Sequence, residues 1–181
     1  MFDICVDHLK IADRSNDIKD KPGIYVWFYN FKNLQEIFKK GNEKNFYSKL
    51  ENLINILPEL TGTVYSTFDI EYNLDFQPSI SFKNLNQIKK EVLNEFLSFL
   101  EILELPLYVG RSQNLKERYI QHLGDYKRDS FERDIFASRM VKYKIEIEDL
   151  KFCGKYIDNK ELINDLEYLL NRVIKPIGGK R

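Results

Sequence analysis

Between Leu107 and His122 the chain reads Leu-Tyr-Val-Gly-Arg-Ser-Gln-Asn-Leu-Lys-Glu-Arg-Tyr-Ile-Gln-His, and no other stretch constrains the fold as much. Leu107, Tyr108 and Val109 follow Pro106 as a short β-prone run, which Gly110 breaks. Asn114 is placed to cap a helix, with Glu117 three residues later in the capping-box position. The pattern predicts a strand, a turn and a helix in succession. On that helix Leu115, Tyr119 and Leu123 recur every four residues and should face a core, whereas Arg118 and His122 share a neighbouring face. A guanidinium beside an imidazole and tyrosines suits a phosphodiester, whose charge needs fixed donors and whose attacking water needs a base.

At 181 residues the chain is expected to form one domain, or one domain with a large insertion, with enough mass for a sizeable core. It holds no apolar run of about 18 residues, and its start, Met-Phe-Asp-Ile-Cys-Val-Asp, lacks a basic region ahead of an apolar one. The expectation is a cytoplasmic protein with no membrane partner. Cys5 and Cys153 lie far apart without a Cys-x-x-Cys companion, which argues against a disulfide framework and a structural zinc site and for buried or idle thiols. Net charge is zero, but residues 1–110 carry 12 Lys/Arg against 16 Asp/Glu and residues 111–181 carry 16 against 12. A modest basic face and a mixed solvated surface are equally compatible with that split.

Taken in order, Phe2–Val6 is a short candidate strand. Gly23-Ile24-Tyr25-Val26-Trp27-Phe28-Tyr29, bounded by Lys21-Pro22 and Asn30, predicts a strand covered on both faces. Helical patterns run over Asn33–Lys40, Glu43–Leu57 and Asn84–Glu104. Val64, Phe68, Ile70 and Tyr72 read as a strand with Phe76–Phe82 as its hairpin partner. The Asn84–Glu104 helix places Leu85, Ile88, Val92, Leu93, Phe96, Phe99, Leu100 and Leu103 on one broad apolar side, which reads as core. Phe131–Met140 reads as a helix. Val141, Tyr143, Ile145 and Ile147 alternate with charged residues as a third strand of the sheet would, and Cys153–Asn159 reads as a loop. Lys160–Ile174 is a helix with Leu162, Ile163, Leu166, Leu169, Leu170, Val173 and Ile174 on one side and Glu167 at the boundary of that stripe.

Gly23-Ile24-Tyr25, then Tyr108-Val109-Gly110, then Arg118 and His122 on the following helix, then Glu167 ahead of Lys175-Pro176, form an ordered set that resembles the GIY-YIG nuclease family. The resemblance covers about residues 21–30 and 106–178. It implies an α+β fold in one 1–181 domain, with a small central, mostly antiparallel three-stranded sheet flanked by helices. Residues 31–105 would be a helical and β-hairpin insertion where typical members have a short hairpin turn. Such insertions occur in some restriction endonucleases of the family. Members often carry an Asn shortly after the Lys-Pro-like turn, and Ile177-Gly178-Gly179-Lys180-Arg181 has none.

The activity implied by the resemblance is metal-dependent cleavage of DNA, restriction-type or defence-related. Glu167 would bind Mg²⁺ or Mn²⁺. Arg118 would donate to the scissile phosphate, Tyr25 would position or deprotonate the attacking water, and Tyr108 would orient the phosphate or water network. His122 would take the Tyr25 proton or donate to phosphate. Arg111, Lys116, Lys175 and Lys180 would contact backbone phosphates, and Gly23 and Gly110 would let backbone and substrate approach. A homodimer would cut both strands, and the insertion would serve target recognition or dimerisation. Read without the resemblance, Glu167 is an exposed helical glutamate, Arg118 a surface arginine with an acidic partner, Tyr108 a core aromatic and His122 a helix-surface residue. Two alternatives stand beside the nuclease: a binding module of the same fold that does not cleave, and a repair or mobile-element nuclease acting on branched DNA.

Overall fold

The structure is a computed structural model and describes residues 2–7, 15–60, 90–126, 135–174 and 176. It is a mixed α+β fold around an antiparallel sheet of four strands, one more than expected, in the order β1-β4-β2-β3. These are β1 (Ile4–Asp7), β2 (Gly23–Tyr29), β3 (Pro106–Ser112) and β4 (Leu150–Tyr156). The helices are α1 (Phe31–Lys39), α2 (Glu43–Leu60), α3 (Lys90–Leu103), α4 (Leu115–Tyr126), α5 (Ile135–Lys142) and α6 (Lys160–Ile174).

Every residue of β2 is buried, as its unbroken apolar run demands of a strand with layers on both sides. Tyr25 and Trp27 point to one face, where Trp27 stacks on Tyr119 of α4 and on Phe136 of α5. Ile24, Val26 and Phe28 point to the other and pack with Ile163, Leu166, Leu170 and Ile174 of α6. Helices α4 and α6 therefore lie on opposite faces of the sheet. Strand β3 pairs only with β2 among the described residues, so it forms one edge.

Helices α1, α2 and α3 belong to the predicted insertion, yet Leu34, Phe46, Leu50, Leu53, Leu93 and Leu97 join the same buried cluster as Trp27 and Tyr29. Helix α1 ends in a Schellman arrangement. Gly41, at φ +72°, donates its N–H to Phe38, and Asn42 donates to Ile37. Helix α2 is tied down by Lys49, whose buried ammonium lies 2.6 Å from Asp149 and 2.5 Å from Glu146. Asn33 of α1 donates to the same Asp149 carboxylate at 3.0 Å. Burial holds the Asp149 carboxyl above its ordinary value, with Lys49, the Glu146 N–H and Asn33 offsetting only part of that rise.

Several sequence expectations are corrected. Val141–Ile147 is not a strand: α5 runs to Lys142, Lys144 adopts φ +55°, and Ile145 donates back to Met140, closing the helix before a 3₁₀ turn at Ile147–Asp149. The strand is Leu150–Tyr156, half of which was expected to be loop; it contains no β-branched residue and an internal Gly154, so it lacks the usual composition. The broad apolar side of α3 is split, with Leu93 and Leu97 buried and Val92, Phe96 and Phe99 exposed. On α6 the packing stripe is narrower than the apolar one, and Leu162, Leu169 and Val173 are exposed. Cys5 and Cys153 are disulfide-bonded rather than free thiols, because β1 pairs with β4 and sets them opposite each other. The predicted strands at Val64–Tyr72 and Phe76–Phe82, and the starts of the helices at Asn84 and Phe131, lie outside the described residues. No helix among those described is long and apolar enough to cross a membrane.

Candidate functional site

The strand-turn-helix predicted from Leu107 onward is present, with β3 longer than expected and running through Gly110. The turn into α4 is held by Asn114, whose side-chain oxygen accepts the Glu117 N–H at 3.1 Å. Ser112 supplies a second cap, accepting the Asn114 N–H at 3.0 Å. These bonds fix the direction of α4, and with it the positions of Arg118 and His122 over the sheet.

Tyr25, Tyr108, Arg118 and His122 come together on the α4 face. The Tyr25 hydroxyl lies 2.8 Å from His122 Nε2 and accepts the Arg118 Nε–H at 3.2 Å. Which of the two groups donates in the Tyr25–His122 contact follows from which ring nitrogen carries the imidazole proton. Tyr25 and His122 are fully buried, while Arg118 and Tyr108 are half-buried at the outer side of the cluster. The Tyr25 and Tyr108 rings run nearly parallel at 6.1 Å between centroids, and the imidazole meets both edge-on. Phe136, at 4.6 Å from the imidazole, and Trp27 complete an aromatic box that holds His122 in one orientation.

Gly110 makes the cluster possible. It lies opposite Tyr25 in the β2–β3 register, and a Cβ there would run into the Tyr25 hydroxyl and ring and the Tyr108 ring. The close approach that this glycine permits is therefore made by the chain's own phenols. At Gly23 an added Cβ would meet the Lys155 carbonyl oxygen, so that glycine serves strand packing.

Glu167 is not part of this cluster. It projects from α6 on the other face and pairs with Arg111, Nε to Oε2 at 2.6 Å. Arg111 lies opposite Ile24 in the register, whose side chain packs toward α6. The ion pair thus sits against the α6 side of edge strand β3, and the Glu167 side chain is 28% exposed. As a metal ligand it offers one carboxylate, with Oε2 already taken by Arg111. No group of three or more His, Cys, Asp or Glu side chains converges among the described residues. Such a donor set fits only a hard ion that keeps most of its waters. Lys116 is half-buried near the start of α4, while Lys175 and Lys180 lie outside the described residues.

Sequence reasoning passed over Gln121, whose Oε1 accepts from the Arg118 guanidinium at 2.7 Å. Its position three residues after Arg118 on one helix was the available signal. The chain matches no protein-family model, no curated protein and no solved structure with which it was compared.

Proposed function

We propose that this chain is a metal-assisted DNA endonuclease of the GIY-YIG kind, hydrolysing phosphodiester bonds. One observation carries the reading: a tyrosine hydroxyl held between an imidazole and a guanidinium donor, with a second tyrosine alongside. With the imidazole proton on Nδ1, an attacking water passes a proton to the Tyr25 oxygen as the Tyr25 proton moves to His122 Nε2. The Arg118 guanidinium stabilises the phosphate charge that builds as the water oxygen bonds to phosphorus and the ester oxygen departs. Solvent protonates the departing oxygen, and the proton on His122 returns to solvent through Tyr25 once product leaves. Tyr108 orients the phosphate. Because Glu167 lies on the α6 face and the phenols under α4, a Mg²⁺ or Mn²⁺ ion held by Glu167 would neutralise charge only on a substrate that spans the β3 edge and reaches both faces.

The test is incubation with plasmid DNA with and without Mg²⁺. Arg118→Ala and Glu167→Ala are each expected to lower cleavage at least about 100-fold with the fold retained. Unimpaired cutting by either variant would remove the mechanism. A panel of duplex, flap and branched DNA separates a restriction-type enzyme, the activity we favour, from a repair nuclease. A second reading, binding without hydrolysis, is favoured by the engagement of Glu167 with Arg111 away from the phenols. It predicts DNA binding that survives Glu167→Ala and no Mg²⁺-dependent product.

A further inference from the structure

Helix α6 carries more apolar surface than the sheet covers. Ile163, Leu166, Leu170 and Ile174 pack with the β2 side chains, whereas Leu162, Leu169 and Val173 are exposed. With half-buried Leu166 the exposed three follow one another at spacings of four, three and four residues, the d-a-d-a run of a heptad seam. At about 100° per residue the seam lies roughly 100–160° round the helix from Glu167. Glu167 reaches Arg111 on edge strand β3, so the seam faces the other way, toward β4 and β1. On that side Cys5, bonded to Cys153 on the α6 face, is exposed, so the sheet is open next to the seam. The residues flanking the seam are charged. Asp165 and Arg172 stand at the two successive g positions, both exposed, and the Arg172 guanidinium lies 5.2 Å from the centre of the Tyr168 ring.

We infer that the α6 seam docks on the same seam of a second copy of this chain, with the two helices antiparallel about a two-fold axis. Leu162 then faces Val173 of the second copy and Leu166 faces its Leu169, and symmetry repeats both pairs. In that register Asp165 meets Arg172 of the second copy and Arg172 meets its Asp165, so the flanking charges of one helix complement themselves twice. Helix α3 lacks this property. It exposes Val92, Phe96 and Phe99 at the same spacing, but its flanking positions are Glu95 and Ile102, which give the acid no cation across a two-fold axis. Glu167 and Arg111 stay outside the contact. Two heptads make a small interface, so the association is weak, with a dissociation constant of roughly 10–100 µM. The inference does not rest on the nuclease reading.

Sedimentation velocity of the full chain, from low micromolar to near-millimolar concentration, should show a reversible shift from monomer to dimer. Leu169→Glu, at an exposed position, should abolish the shift and leave the urea midpoint of the dilute monomer unchanged. Asp165→Arg and Arg172→Asp should each weaken self-association about tenfold, since each sets two like-charge pairs across the seam. Mixed in equal amounts, the two variants regain both opposite-charge pairs and should associate as tightly as the unsubstituted chain. An unsubstituted chain that stays monomeric throughout, dimers that survive Leu169→Glu, or a mixture no tighter than the single variants would each overturn the inference. A dilute Leu169→Glu monomer that loses most of its stability would assign the face to residues of the same chain and would overturn it as well. No cleavage is read, so these outcomes are separable from failure of the proposed activity.

Discussion

Two tyrosines can share one patch of sheet only because the residue between them in space has no side chain. Gly110 faces Tyr25 across the β2–β3 register, and the buried Tyr25 ring has no room to swing away from an added methyl. Gly110→Ala should therefore lower stability by about 1–3 kcal/mol, the usual cost of overpacking, and should displace the Tyr25 hydroxyl from His122 and Arg118. Urea unfolding reads the first effect, and an unchanged midpoint would show that the phenols do not depend on the gap. The tripeptide around Gly110 was legible in the sequence, as was the pairing of Arg118 with His122 on one helix. What fills the gap at Gly110 was not, because it depends on a strand register between segments remote in sequence, and local pattern carries no record of register.

Among the elements, the helices were the readable part, since α2, α4 and α6 each show an apolar stripe of helical period. Strand β4 was not, because Leu-Lys-Phe-Cys-Gly-Lys-Tyr owes its conformation to β1 and β2 on either side rather than to its own composition. The same dependence hid the Cys5–Cys153 bond, which exists because those two strands are neighbours. The anchoring of α2 by Lys49 is likewise invisible in sequence and open to test. Burial alone would lower the ammonium's pKa, but its contacts with Asp149 and Glu146 outweigh that and raise it above the ordinary 10.5. A group raised in this way contributes stability that is fully present below the ordinary value and is lost as pH climbs through the raised one. Lys49→Met should cost about 3 kcal/mol at neutral pH, because it strands the buried Asp149 carboxylate. The gap between wild type and variant, followed by denaturant midpoint, should shrink as pH rises beyond 10.5. A gap that persisted at high pH would mean the lysine acts by packing alone.

At the scale of the whole molecule, the proposed activity has its parts on two faces of one sheet. The phenols, Arg118 and His122 lie under α4, and Glu167 with Arg111 lies under α6, with β3 as the edge between them. Tyr108 and Arg111 both belong to β3 and point to opposite sides of it, so a phosphodiester strand draped over that edge would reach both sets. If one substrate spans the edge, the two faces act on the same transition state and their losses do not multiply. Residues that work as a unit give single variants nearly as damaged as the combination. Tyr25→Phe, Glu167→Gln and the double variant should then show similar residual cleavage, with the double no more than a few-fold below the worse single. If the acid serves some other purpose on its own face, the two losses in kcal/mol will add within about 0.5 kcal/mol, as they do for sites that share no partner. Additivity would show that the acid and the α4 cluster contribute to cleavage independently, and only a Glu167→Gln variant that cuts normally would detach Glu167 from the chemistry.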